Sequence, residues 1–298
     1  MEKIAYGGWE NCYRVSNDLV DLIVTGDVGP RIIRVGFVGE KNLFKEYPDQ
    51  LGKTSDKSWM IFGGHRLWHA PEAQPRTYFP DNEPVLVQEI PGGILVTQKP
   101  EPTTGLQKQM EITLASDAPE VQVKHILINH NLWSVDTAPW AISVMAPGGV
   151  AILPLPPRGP HPDFILPTCR LSIWPYTNLG DDRWTLGERF ILLRQDPGAK
   201  TPQKIGIFAS GGWAAYANLD SVFIKHTPLQ FEGVYPDMGV NFETFTNDAM
   251  LELESLGPVE PIPPKGQIDH IEHWTLLKDV IRPESEEDVI DQILPRIQ

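Results

Sequence analysis

The chain has 298 residues, of which 41% are hydrophobic and 21% charged; that is enough apolar surface to offset chain entropy, which excludes a disordered protein and allows one large core. A formal net charge of −14, with no basic stripe, excludes a nucleic-acid partner because nothing balances phosphate charge. The opening MEKIAYGGWENCYRV has no apolar leader segment, and no later run approaches the roughly 20 apolar residues that cross a bilayer, so the expectation is a soluble, cytoplasmic protein with no membrane partner.

Cys12 and Cys169 lie far apart in no zinc-like spacing, and both are expected as reduced, buried thiols. A strand is expected over residues 20–24, leading into residues 27–37, where Arg31 and Arg34 are read as sharing one strand face. Residues 62–72, FGGHRLWHAPE, then place two His, an Arg, a Trp and a Glu behind a Gly pair. Glycine permits close backbone approach, His moves protons near neutral pH, Arg forks onto oxygens and Trp offers a flat apolar face. Read as a dense polar loop, this is the chemistry of a sugar pocket; a tightly packed turn is the plainer alternative. His65 and His69 are four apart, but Gly63, Gly64 and Pro71 argue against a helix there, so neither a metal nor any other cofactor is expected. The following loop, residues 78–83, adds Tyr78 and Asp81.

Period-two alternation recurs over residues 83–90, 94–99, 106–114, 121–128, 205–209 and 221–226, with Gly, Pro and Asp turn signals between. The 29 prolines suit many loops and few helices. The proline-rich residues 153–162 are read as a loop over the sheet, a candidate pocket wall, rather than as a domain boundary, so residues 1–298 are read as a single domain. Residues 241–248 and 250–258 form the arms of a hairpin around Asn247-Asp248, which brings Glu243 close to Glu252 or Glu254. Glu252 and Glu254 project to one face, where mutual repulsion would raise one pKa toward that of a general base. A solvated outer face is the alternative. Only the C-terminus reads as helix: Pro283 opens it, Glu284, Glu286, Glu287 and Asp288 suit its positive end, and Val289, Ile290 and Ile293 recur at helical spacing to cap one face of a sheet.

The order of these features resembles the galactose mutarotase-like superfamily, which includes the aldose 1-epimerases. The segment Asp27-Val28-Gly29-Pro30-Arg31-Ile32 is similar to the family's opening hairpin, and Gly63-Gly64-His65 lies near its His-Gly-Gly element. Residues 250–258 resemble the strand that bears the epimerase glutamate, and Pro264-Lys265-Gly266 precedes a last strand over residues 270–277. The resemblance implies an all-β fold, a large antiparallel β-sandwich with a short C-terminal helix, and a small-molecule carbohydrate as partner. In the epimerases a glutamate takes the anomeric hydroxyl proton and a histidine protonates the ring oxygen. Glu254 fits the glutamate. For the histidine two registers compete, one placing Asn129-His130 at the position and the other Ser143 or Val144. The apolar pattern over residues 140–146 favours the second, which leaves the usual acid missing.

The expected site therefore has Glu254 as base, His65 or His69 as acid, and Arg31, Arg66, Trp68, Asp81, Glu243 and Glu252 around the substrate. The arginines suggest an acidic or phosphorylated sugar. A non-catalytic sugar-binding or regulatory protein is the rival reading, and a glycoside-cleaving enzyme using Glu243 with Glu254 is the third.

Overall fold

A computed structural model describes residues 1–55 and 57–297. Its strands are, in chain order, β1 (Glu2–Tyr6), β2 (Trp9–Ser16), β3 (Val20–Thr25), β4 (Arg31–Phe37), β5 (Gly64–Ala70), β6 (Leu86–Ile90) and β7 (Gly93–Thr97). There follow β8 (Leu106–Leu114), β9 (Glu120–Asn129), β10 (Val135–Met145), β11 (Val150–Pro154), β12 (Leu171–Ile173), β13 (Trp184–Leu186) and β14 (Phe190–Arg194). The last are β15 (Gln203–Ile207), β16 (Trp213–Asn218), β17 (Ser221–His226), β18 (Phe242–Thr246), β19 (Leu251–Leu256), β20 (Glu260–Ile262) and β21 (Gln267–Lys278). The expected all-β sandwich is present. One 11-stranded sheet runs β1-β2-β3-β4-β5-β10-β19-β18-β15-β12 with β20 beside β10, and a 10-stranded sheet runs β13-β14-β11-β16-β17-β21-β9-β8-β7-β6. All strand pairs are antiparallel.

Alternation explains how the sheets pack. Leu251 and Leu253 of β19, Phe242 of β18 and Ile205 and Ile207 of β15 point inward to meet Met110 and Ile112 of β8, Val121 and Val123 of β9 and Trp274 of β21. Phe44, Phe223 and Trp274 meet edge to face there, with ring centroids 5.1 to 5.8 Å apart. The C-terminal helix begins at Glu286, with Ser285 as its cap in a capping box with Asp288. Wider and tighter turns follow over Val289–Ile293 and Leu294–Arg296, and Val289 and Ile293 cover the outer face of the 10-stranded sheet against Ile152, Phe190 and Ile224. No helix of the described residues is long and apolar enough to cross a membrane.

The middle of the sandwich is polar. Lys225 of β17 lies 2.8 Å from Glu272 of β21, both fully buried, and the ammonium also donates to the carbonyls of Ala141 and Leu253 in the facing sheet. Ser255 and Trp274 donate to the same carboxylate. Burial alone would raise the Glu272 carboxyl, but the Lys225 ammonium beside it holds it well below the usual range. Beside this pair, the Nε2 atoms of His65 and His125 are 2.7 Å apart. His125 Nδ1 faces the His270 carbonyl at 3.0 Å, so that nitrogen carries the hydrogen and Nε2 accepts. His65 therefore donates from Nε2, and the Ser143 hydroxyl donates to its Nδ1 at 2.8 Å. The His65 and His125 rings are both satisfied in the neutral state.

Breaking the central pair is costly because a buried charge is left without a partner. Glu272→Ala is expected to lower the unfolding free energy by about 3–5 kcal/mol in urea titrations, while the joint change Lys225→Met and Glu272→Leu loses less than Glu272→Ala alone.

A pH dependence also follows from the buried imidazoles. Burial, with Lys108 and Arg76 adding to it, pushes His69 down to about 2, burial pushes His270 down to about 3, and burial likewise lowers His65 and His125. These rings stay neutral in the folded chain, while their unfolded counterparts take a proton below about 6.5. Their contribution is complete above that pH and is lost on acidification, at about 1.4 kcal/mol per pH unit for each ring. His69→Leu should flatten the slope of unfolding free energy between about pH 6 and 4 by one such increment; an unchanged slope would place the His69 proton elsewhere.

Candidate functional site

The segment GHRLWHA is β5, a strand buried throughout between β4 and β10, and not the surface loop its composition suggests. Gly63 and Gly64 have φ of 96° and 70°, and a Cβ on them would strike the Lys45 and Ile32 carbonyl oxygens. The close approach they permit is therefore to neighbouring backbone. Alternation then divides the segment. His65 and His69 point into the sandwich, whereas Arg66 and Trp68 point to the outer face of the 11-stranded sheet.

That outer face gathers the carboxylates. Glu243 of β18 lies directly opposite Glu254 of β19, and Glu254 lies opposite Ile142 of β10. Lys204 of β15 reaches both, with its Nζ 2.7 Å from Glu243 and 3.1 Å from Glu254. The Trp140 indole donates to Glu254 Oε2 at 2.7 Å. The Lys204 ammonium also lies 4.9 Å from the Trp140 ring centre and 4.8 Å from that of Trp174, within cation–π range of both. A cavity of about 350 Å³ opens over this group, lined by Glu72, Ala73, Gln74, Trp140, Trp174, Lys204, Asp237 and Glu243. A second cavity, about 380 Å³, lies near Ser16 and Ser116, and holds no comparable cluster of paired ionisable groups.

Burial holds the Glu243 carboxyl well above its ordinary range, with Lys204 opposing and Glu254 and Asp237 reinforcing the rise. Burial alone would lower the Lys204 ammonium, but Glu243 and Glu254 keep it well above the usual lysine value, so it stays charged. Glu243 Oε1 and Glu254 Oε1 are buried and have no hydrogen-bond partner. A buried polar atom without a partner is costly. The arrangement thus offers two close carboxyls of different character, a fixed ammonium and two indole faces.

The sequence-derived candidates separate into four groups. Glu243 lines the cavity, and Glu254 stands directly beside it on the next strand without lining it. Arg66 pairs with Glu252 at 3.1 Å and lies between Trp59 and Trp68, 5.6 and 4.8 Å from their ring centres, so these residues pack beside the cavity without lining it. Arg31 is fully buried, bonded to Asp81 at 2.7 Å and to the carbonyls of Ile61 and Gly63, which makes that pair a brace for the chain. His65 and His69 do not join Glu254, because they lie on the opposite face of β5, and the expectation of one shared cavity is corrected on this point. His130 is exposed and bonded to Gln107. Residues 153–162 do not line the cavity either. Cys169 is only half-buried, unlike Cys12, and both are free. Lys204, Trp140 and Trp174 were absent from the sequence-derived set; the one available signal was a lysine beside Ile205 and Ile207 in the short strand QKIGI.

His65, His125 and Glu272 offer ligand atoms within 4.8 Å of one another. The 2.7 Å between the two imidazole nitrogens is a hydrogen-bond length, shorter than the roughly 3.3 Å that two nitrogens need around one tetrahedral zinc. Lys225 already neutralises the carboxylate. This cluster fits a structural network better than a metal centre.

No family model and no curated protein sequence matches this chain. Solved structures do. A putative mutarotase (YeaD) from Salmonella typhimurium is similar at TM-score 0.58 and 13% identity, covering 90% of this chain and 90% of its own. The Slr1438 protein from Synechocystis sp. PCC 6803 is similar at 0.57 and 10%, covering 93% and 100%. A putative aldose 1-epimerase (b2544) from Escherichia coli K12 gives 0.52 and 11%, covering 90% and 99%. At these identities the likeness concerns architecture: the chain has the galactose mutarotase-like fold.

Proposed function

We propose that this protein binds an aldose in the cavity over Glu243 and Glu254 and interconverts its anomers by acid–base chemistry, as the aldose 1-epimerase resemblance implies. The observation that carries the reading is the pair of unpartnered, buried carboxyl oxygens, Glu243 Oε1 and Glu254 Oε1, beside a cavity flanked by two indoles. Glu254, held by Lys204 and Trp140, takes the proton of the anomeric hydroxyl. Glu243 fills the acid's role, since burial raises its carboxyl well above the ordinary range, and it delivers a proton to the ring oxygen as the C1–O5 bond breaks. The open-chain carbonyl rotates about C1–C2, the ring hydroxyl attacks its other face, and the two protons return to their starting groups. Trp140 and Trp174 present flat faces for the pyranose, and Lys204 steadies the charge that develops on oxygen.

A non-catalytic sugar-binding protein is the second reading, favoured by the lack of any histidine among the cavity residues. Anomer exchange followed by polarimetry across common aldoses separates the two. The catalytic reading expects exchange faster than buffer, a fall of roughly 10² or more in Glu254→Gln, and sugar affinity changed little by that substitution. Heat of binding with an exchange rate equal to buffer supports the binding reading instead. Cleavage of nitrophenyl glycosides in the same preparation would point to the hydrolase reading, which also needs a close carboxylate pair.

A further inference from the structure

Charge around the cavity is one-sided. Glu72, Asp237 and Glu243 line it and Glu254 lies beside Glu243, against a single ammonium, Lys204. That ammonium is already engaged by two carboxylates and two indole rings. The guanidiniums that would grip an anion are committed as well, Arg31 to Asp81 and two carbonyls, Arg66 to Glu252. The remaining nitrogens of Arg66, Nε and Nη1, are buried beside Trp59 and Trp68, and Arg66 does not line the cavity.

Asp237 is placed for a different ligand. It occupies a left-handed turn, with φ of 49° at Asp237 and 68° at Met238, and its carbonyl is held by the Ser172 hydroxyl at 2.7 Å. Among the described residues its carboxylate makes no hydrogen bond or ion pair. Glu72 reaches the same cavity from the segment after β5, where Tyr78 donates to it. Asp237 and Glu72 thus present acceptors and negative charge to whatever enters, and Glu243, with an unpartnered oxygen, lines the same cavity. The chain's own Lys204 illustrates the preference, since carboxylates beside aromatic faces are the combination that holds an organic ammonium.

We infer that the cavity is selective for amino sugars, binding a protonated hexosamine in preference to its neutral parent and discriminating against the corresponding uronic acid. The ligand ammonium, on the carbon next to the anomeric centre, sits against Asp237 and Glu72, while the pyranose packs beside Trp140 and Trp174 with its anomeric carbon on the Glu254 side. This inference deepens the carbohydrate reading above and rests on it. It reverses the acidic sugar that the arginines in the sequence suggest.

The test is calorimetric titration of the full chain with D-glucosamine and D-galactosamine, D-glucose and D-galactose, and D-glucuronate and D-galacturonate at neutral pH. In at least one configuration the amine is expected to bind about tenfold or more tightly than the uronate, with the neutral sugar between them, because like-charge juxtaposition is strongly disfavoured. The double variant Glu72→Gln, Asp237→Asn, checked for an unchanged melting profile, is expected to narrow the amine-to-uronate ratio to about threefold or less. A uronate that binds as well as the amine overturns the inference, as does an undiminished ratio in the folded double variant. Neutral sugars binding while amines do not would remove this inference and leave the carbohydrate reading intact. Binding of none of the six would remove both.

Discussion

A strand sends successive side chains to opposite faces, and in this molecule that rule separates chemistry from core across the thickness of one sheet. β5, β10, β19 and β18 sit side by side, and their registers align Arg66 with Ile142, Ile142 with Glu254, and Glu254 with Glu243 on the outer face. The residues one step along are His65, Ser143 and Leu253, which face inward. A one-residue slip of β19 would exchange Glu254 for a core position and push a leucine to the cavity. The site therefore exists only because the register of four strands is fixed, and the fixing is done from beneath.

Lys225 does much of that fixing. Its ammonium crosses from the 10-stranded sheet and donates to the carbonyls of Ala141 and Leu253, the residues just before Ile142 and Glu254. Glu272 keeps the charge tolerable in the interior and is itself held by Ser255, the residue just after Glu254. Across the same sheet, Lys204 holds Glu243 and Glu254 from above. Two lysines on opposite sides thus constrain one strand, and a carboxyl held at that precision is what a proton-transferring group requires. Apolar packing alone would hold β19 in the sheet without choosing among near-equivalent positions along it.

The legibility of this arrangement in the sequence follows from how each strand is buried. β8 and β17 have the bounds that alternation sets, residues 106–114 and 221–226, and β8 has the half-buried pattern that period-two reading depends on. The β18–β19 hairpin was equally readable, because polar Asn247-Asp248 interrupts two alternating arms. β5 was not. It is buried on both faces, and both faces carry polar residues, so it has neither alternation nor an apolar run; its glycines and Pro71 resembled loop punctuation. Lys204 was hidden for a related reason: a lone lysine in a short strand looks like an ordinary solvent-facing residue until its neighbours across the sheet are known. Trp174 lies in a turn beyond an edge strand, where no local pattern marks a wall of a cavity.

Counting charges along the chain also misleads about the site, since what matters is which charges remain uncommitted. Arg31 and Arg66 are basic groups that look free in the sequence, yet Asp81, Glu252, backbone carbonyls and tryptophan rings engage them, and the nitrogens left without a partner are buried. The carboxylates outnumber their partners on the outer face, so the field over the cavity has the sign of the whole molecule. An anion approaching it would be repelled at long range and would find no free donor fork at short range. Polyol hydroxyls find acceptors, and an ammonium finds both acceptors and a favourable field. In the proposed chemistry, the absence of an imidazole among the cavity residues changes the kind of acid rather than removing it, because burial raises the Glu243 carboxyl toward the range in which a carboxylic acid can give up a proton near neutrality.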